Sequence, residues 1–238
     1  MPHVDHYRNG KRLVSATELT TIIGKPFLDK WRIKLCRCLT HAEAKKAPLK
    51  PAEQRAWERF GAGHCGNVYA DLVKDDAGDL GTSVHDIIEN WFKGHFLAVP
   101  STEAALWAKG IIKLYGEHKV KPVIIKPEEN LIDEESGLAG SPDTIGEWDG
   151  RVEILDTKIK GQLDDLTAMQ GCAYRYLLKR CKGQDVRWMR PIWCQKESKD
   201  YSIKSDIVYD LDEWTDDWKA LVRIWNRLHP NRKVTIHE

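Results

Sequence analysis

The sequence predicts an α/β protein, and three observations carry that prediction. Between residues 121 and 211 the segments "KPVIIKPEENLI", "LAGSPDTIGEW", "RVEILDTKIK", "VRWMRPIWCQK" and "SIKSDIVYDL" have the β-branched, alternating character of strands. One stretch among them, Asp164 to about Lys179, keeps a helical period. Before and after this region the apolar residues recur at steps of three and four. Helices first, then strands with one inserted helix, then a helical end make an α/β arrangement.

Taken in order, "HYRNGKRLVS" places Asn9-Gly10 between short extended pieces, and this dipeptide favours a tight hairpin because both residues tolerate positive φ. From Ser15 the pattern turns helical and breaks near Gly24. It resumes at Pro26, where Leu28, Trp31, Leu35 and Leu39 recur at helical spacing. Lys30, Arg32, Lys34 and Arg37 fill the remaining faces of that stretch. "AGDLGTSVHDIIENWFKG" predicts a helix ending at Gly94, and "STEAALWAKGIIKLYGEH" another capped by Ser101 or Thr102. On the inserted helix, Leu166, Met169, Ala173 and Leu177 form a sheet-facing stripe, with Gln170 and Tyr174 one turn apart along its edge. The last helix carries Leu211, Trp214, Trp218, Leu221, Trp225 and Leu228 as a continuous apolar stripe, which predicts packing rather than base stacking.

Lys plus Arg (37) nearly cancels Asp plus Glu (36) over the 238 residues, so no global basic field marks the chain for nucleic acid. An anionic partner must then be held by a local patch or by metal ions. The six cysteines occur without an apolar leader in "MPHVDHYRNG", which predicts free thiols in a reducing cytoplasm. Cys36 and Cys38, as C-x-C, leave a zinc or iron–sulfur site open, but small buried hydrophobes are the more ordinary expectation. No apolar run approaches the roughly 20 residues that span a bilayer, so a soluble protein is expected.

The chemistry concentrates around "EWDGRV". If Asp149-Gly150 forms a two-residue turn, Asp143 and Asp156 face each other across the hairpin, with Cβ atoms about 5 Å apart. Two carboxylates so close repel each other unless a cation lies between them. Lys158, two residues beyond Asp156, shares its face. An all-oxygen site selects a hard ion, Mg²⁺ or Mn²⁺, beside which a lysine can orient or deprotonate a water. The ordinary alternative is a surface hairpin with an incidental ion pair. The apolar flanks Val152, Ile154, Leu155 and Ile159 point to burial instead, where charges are rarely kept without pairing or metal.

Pro142-Asp143 followed by Asp156-Thr157-Lys158 resembles the PD-(D/E)XK signature of a large nuclease superfamily. "GTSVHDIIE" resembles the G-x-x-x-H segment of its RecB-type branch, pointing to His85 with Glu89 one turn on, and "MQGCAYRYLL" resembles that branch's Q-x-x-x-Y motif, Gln170 and Tyr174. "GLAGSPD" looks like its glycine-rich approach to the first aspartate. "HYRNGKRLVSATELTTIIGKPFLDKW" is similar to the N-terminal segment of phage exonucleases and the mitochondrial genome maintenance exonuclease. The resemblance runs from Tyr7 to about Leu178.

The resemblance implies a restriction-endonuclease-like core, a central mixed sheet flanked by helices, over residues 121–238. It implies an N-terminal hairpin and helical lobe carrying the His motif over 1–120, the two forming one structural unit. It implies a DNA exonuclease of replication, recombination or repair that uses Mg²⁺ or Mn²⁺, with a structure-specific endonuclease or a non-catalytic nucleic-acid-binding module on the same fold as the alternatives. Asp143, Asp156, the Thr157 carbonyl, His85 and Glu128, or less favoured Glu129, would be metal ligands, with Lys158 positioning the attacking water. Gln170 and Tyr174 would contact DNA or water, and Lys30, Arg32, Lys34 and Arg37, with Lys45, Lys46 and Lys50, would grip DNA. A solvated helix face is the ordinary explanation of those basic residues. Implied partners are single-stranded or free-ended DNA and a single-strand-binding or recombination protein. The location would be cytoplasmic, in the host if phage-encoded. Cys172, Cys181 and Cys194 lack the tight grouping of iron–sulfur members, so no cluster is expected.

Overall fold

The computed structural model describes residues 7–8, 10–23, 67–95, 102–125, 131–159, 165–197 and 200–237. Lys30, Arg32, Lys34, Arg37, Lys45, Lys46 and Lys50, the helix expected from Pro26, Cys36, Cys38, Cys65, Glu128 and Glu129 lie outside them. The chain divides into two compact units, one of residues 1–2 and 23–82, the other of 3–22 and 83–238. Residues 83–120, which the sequence groups with an N-terminal lobe, belong to the second unit.

The opening hairpin forms as its dipeptide predicts, with β1 (Tyr7–Arg8) antiparallel to β2 (Lys11–Arg12) and Gly10 at φ +73°. Strand β3 (Val14–Ser15) leads into α1 (Ala16–Thr20), where the Ser15 hydroxyl accepts the Glu18 N–H. Helix α2 (Asn67–Phe92) is longer at its start than the pattern shows and stops before Gly94, at φ +72°. Thr102 caps α3 (Glu103–Glu117) by accepting the Ala105 N–H.

Three of the expected strands divide. "KPVIIKPEENLI" yields β4 (Lys121–Ile125) and β5 (Leu131–Asp133), which join different sheets. "LAGSPDTIGEW" yields β6 (Leu138–Gly140) and β7 (Thr144–Trp148), with Ser141-Pro142-Asp143 outside any ladder. Pro142 has no N–H to give a ladder, so the strand ends there and its continuation changes sheet. "SIKSDIVYDL" yields β10 (Asp200–Lys204) and β11 (Tyr209–Asp210); between them the Ser205 carbonyl accepts from the Arg190 guanidinium instead of a strand.

The main sheet also contains β8 (Arg151–Ile159) and β9 (Trp188–Glu197), in the order β10-β9-β8-β7-β4 with β11 pairing β9. β4, β7 and β8 are antiparallel in turn, and β8 and β9 are parallel, joined through α4 (Asp165–Lys182). A smaller sheet has the order β3-β6-β5. Helices cover both faces of the main sheet. Met189 of β9 meets Gly171 of α4, whereas Ile203 of β10, paired with Cys194 of the opposite parity, meets Gly110 of α3. A Cβ on Gly171 would run into Met189 Sδ and crowd Leu211, so this close approach favours glycine.

Helix α4 differs from the expected one-sided stripe. Leu166 and Met169 are only half-buried, while Gln170 and Tyr174, expected at an edge, are 8% and 5% exposed. The physical reason is that α4 packs against α1, β5, β6, β9 and the C-terminal helix α5 (Leu211–Leu228), so little of its circumference meets water. On α5, Leu211, Trp218, Leu221 and Trp225 are buried as predicted, but Leu228 is exposed because it closes the last turn. Cys172 and Cys194 are buried free thiols, each pushed up to about 12 by burial. Among the described residues no helix is long and apolar enough to cross a membrane.

Candidate active site

The Asp149-Gly150 turn has both residues at positive φ, +48° and +84°, and sets the predicted register from Trp148↔Arg151 to Thr144↔Leu155. The ladder ends at Thr144, one residue short of Asp143. The Thr157 N–H, left without a β7 partner, donates to Asp143 Oδ2 at 2.8 Å. His85 Nδ1 of α2 lies 3.4 Å from the same oxygen. Thr157, expected to act through its carbonyl, is here engaged through its N–H.

Asp156 sits on the α4 face of β8 and is 2% exposed. Its Oδ2 lies 2.6 Å from Lys158 Nζ, an ion pair at hydrogen-bond distance. Lys158 Nζ donates to Gln170 Oε1 at 3.1 Å, and Gln170 Nε2 donates to Thr17 Oγ1 at 3.0 Å and Tyr174 OH at 2.7 Å. An ammonium only donates, so it fixes the amide with Oε1 toward Lys158 and Nε2 toward the two hydroxyls. A glutamine satisfies all three partners at once. Gln170 and Tyr174 thus act on Lys158 from within the core, and Thr17 ties α1 to the same chain of bonds.

Burial raises the Asp156 carboxyl above the usual carboxylate range; the Lys158 ammonium opposes this and the Asp143 charge adds to it. Glu153, on the same strand, shows what a fully matched buried acid looks like. It is 0% exposed and accepts from Arg151 at 2.8 and 2.6 Å and from Arg190 at 2.7 and 3.0 Å. Asp156 has no such guanidinium set.

The chain matches no protein-family model and no curated protein sequence. Its chemistry therefore rests on the residues themselves. Among the described residues, no group of three or more His, Cys, Asp and Glu side chains is gathered to hold a metal ion. The described donors nearest to such a role are Asp143, Asp156 and His85. The Asp143 charge acts against the buried Asp156 carboxylate, a repulsion that a hard cation would relieve, and Mg²⁺ is commonly held by one or two carboxylates while keeping several waters. Glu89, one turn beyond His85, pairs with Lys93 at 2.8 Å along α2.

No sequence motif marks Thr17. Its one signal is position, two residues past the Ser15 cap on a helix that packs against α4.

Proposed function

We propose that this chain is a divalent-metal-dependent DNA exonuclease hydrolysing phosphodiester bonds from single-stranded ends, in replication, recombination or repair. One observation carries the reading: a buried, incompletely matched Asp156 shares its sheet face with Lys158 and lies across the hairpin from Asp143. The mixed sheet with helices on both faces supports a restriction-endonuclease-like core, and the motif residues Asp143, Asp156, Lys158 and Gln170 fall along one connected site.

Asp143 and Asp156 would hold Mg²⁺ or Mn²⁺, with His85 as a third donor. When bound, the ion supplies Lewis-acid polarisation of the phosphate and a lowered water pKa. The chain's own residues do the rest. The Thr157 N–H holds the Asp143 carboxylate in one orientation. Lys158, held between Asp156 and Gln170, would bring its positive charge to a phosphate oxygen and to an attacking water. Gln170 positions Lys158, while Thr17 and Tyr174 position Gln170.

The test compares linear and circular single-stranded DNA with Mg²⁺, Mn²⁺ or EDTA. Degradation of the linear form alone, only with metal, is expected. Cleavage of the circle assigns an endonuclease instead, and retention of DNA without cleavage under every metal assigns a binding module.

A further inference from the structure

The sheet carries a cation–aromatic–cation row beside the proposed site. The parallel register pairs Lys158 of β8 with Trp193 of β9, and the antiparallel register pairs Trp193 with Lys204 of β10. Laterally paired residues point to one face, so all three side chains lie on the face that carries Asp156. The Lys204 ammonium is 5.5 Å from the centre of the Trp193 ring. Neighbouring strands are about 5 Å apart, so the row extends roughly 10 Å sideways from Lys158.

Burial changes along this face. Met189 is fully enclosed against α4 and α5, and Pro191, opposite Asp156, is buried. Trp193, two residues further, is half-buried and Lys204 is exposed. Lys158 and Trp193 both lie toward the C-terminal ends of the parallel pair, the side on which open α/β sheets bind ligands.

We infer that Trp193 and Lys204 form the track for single-stranded DNA leading to Lys158, with a base stacked on the Trp193 indole and a phosphate against the Lys204 ammonium. This rests on the nuclease reading, from which it takes the site that the track adjoins. Alternating aromatic platforms and cations are what a sequence-tolerant single-strand groove needs, because every base has a π-face and every nucleotide a charge. The row also supplies local positive charge to a chain whose overall charge is near neutral.

Binding of a fluorescein-labelled oligothymidylate, followed by anisotropy in EDTA, tests the track, with KM for Mn²⁺-dependent cleavage measured in parallel. Trp193→Ala and Trp193→Leu should weaken binding by roughly 5- to 150-fold, the span for loss of one stacked base. Trp193→Phe should retain most of the affinity. Lys204→Ala should reduce the slope of log K against log salt by about 0.7, one phosphate on a single strand. The leucine variant keeps bulk at the position, so it decides the matter if the alanine variant does not fold. Wild-type cleavage together with unchanged binding and KM in Trp193→Leu overturns the track and leaves the nuclease standing. A wild type that neither binds nor cleaves removes both.

Discussion

Replacing Asp156 by Asn should make the metal-free protein more stable. The carboxylate is enclosed, 2% exposed, and burial is the largest influence on it; with the Asp143 charge it outweighs the opposing Lys158 ammonium, so the carboxyl is raised. Asn has nearly the same shape and no charge to desolvate. Lys158 would lose its ion pair, but it is 30% exposed and keeps Gln170 Oε1, so that loss is small. Relief of an incompletely compensated buried charge is worth about 1–2 kcal/mol, and at this chain length each kcal/mol moves Tm by about 2–4 °C. The expected rise is about 2–8 °C in EDTA at neutral pH.

The pH dependence has a definite sign. A carboxyl raised in the folded state binds its proton more tightly there than in the unfolded chain. The resulting stability is fully present below the ordinary carboxylate range and is lost as pH rises through the raised folded value. The advantage of Asp156→Asn should therefore vanish in acid and grow to a plateau above that value. Added Mn²⁺ should reverse the order, since saturation at 100 times Kd stabilises the wild type by about 2.7 kcal/mol and leaves the variant unmoved. Thermal unfolding across pH, with and without metal, reads all of this. A variant less stable than wild type in EDTA, with both proteins equally raised by Mn²⁺, would show that Asp156 is neither a destabilising buried charge nor a metal ligand.

Glu153→Gln should have the opposite sign to Asp156→Asn, losing about 3 kcal/mol in urea unfolding, because Arg190, 12% exposed, and Arg151 lose a fully bonded partner. Equal signs for the two would sink the distinction between a matched and an unmatched acid. Gln170→Leu should lower single-turnover cleavage roughly 10- to 100-fold while calorimetry still registers Mn²⁺, as expected for a residue acting through Lys158. Gly137→Ala should cost about 2 kcal/mol or more by urea unfolding, since Gly137 has φ +72° and an added Cβ would lie 2.8 Å from the Lys233 carbonyl oxygen. An unaffected midpoint would contradict that packing.

The parts of this fold legible in the sequence are those fixed by local chemistry. Asp149-Gly150 dictates a two-residue turn, and the turn alone sets the register that brings Asp143, Asp156 and Lys158 together. Ser15, Thr102 and the α5 tryptophans are equally local signals. The assignment of β5 and β6 to a second sheet was not legible, because it depends on pairing with Val14, more than a hundred residues away in sequence. The motif marks Gln170 and Tyr174, while the helical period sets them at an edge that the fold buries. Periodicity shows which residues are apolar and is silent on how many elements surround a helix. Thr17 and the lateral neighbours Trp193 and Lys204 depend wholly on tertiary register.

Whether Lys158 serves hydrolysis at a metal site is tested most directly by Mn²⁺ calorimetry and cleavage of end-labelled single-stranded DNA on the same preparations of wild type and Lys158→Ala. Both proteins should bind the ion, and only the wild type should shorten the DNA. A wild type inert with every divalent metal, or a Lys158→Ala protein that cleaves at the wild-type rate, would contradict that role.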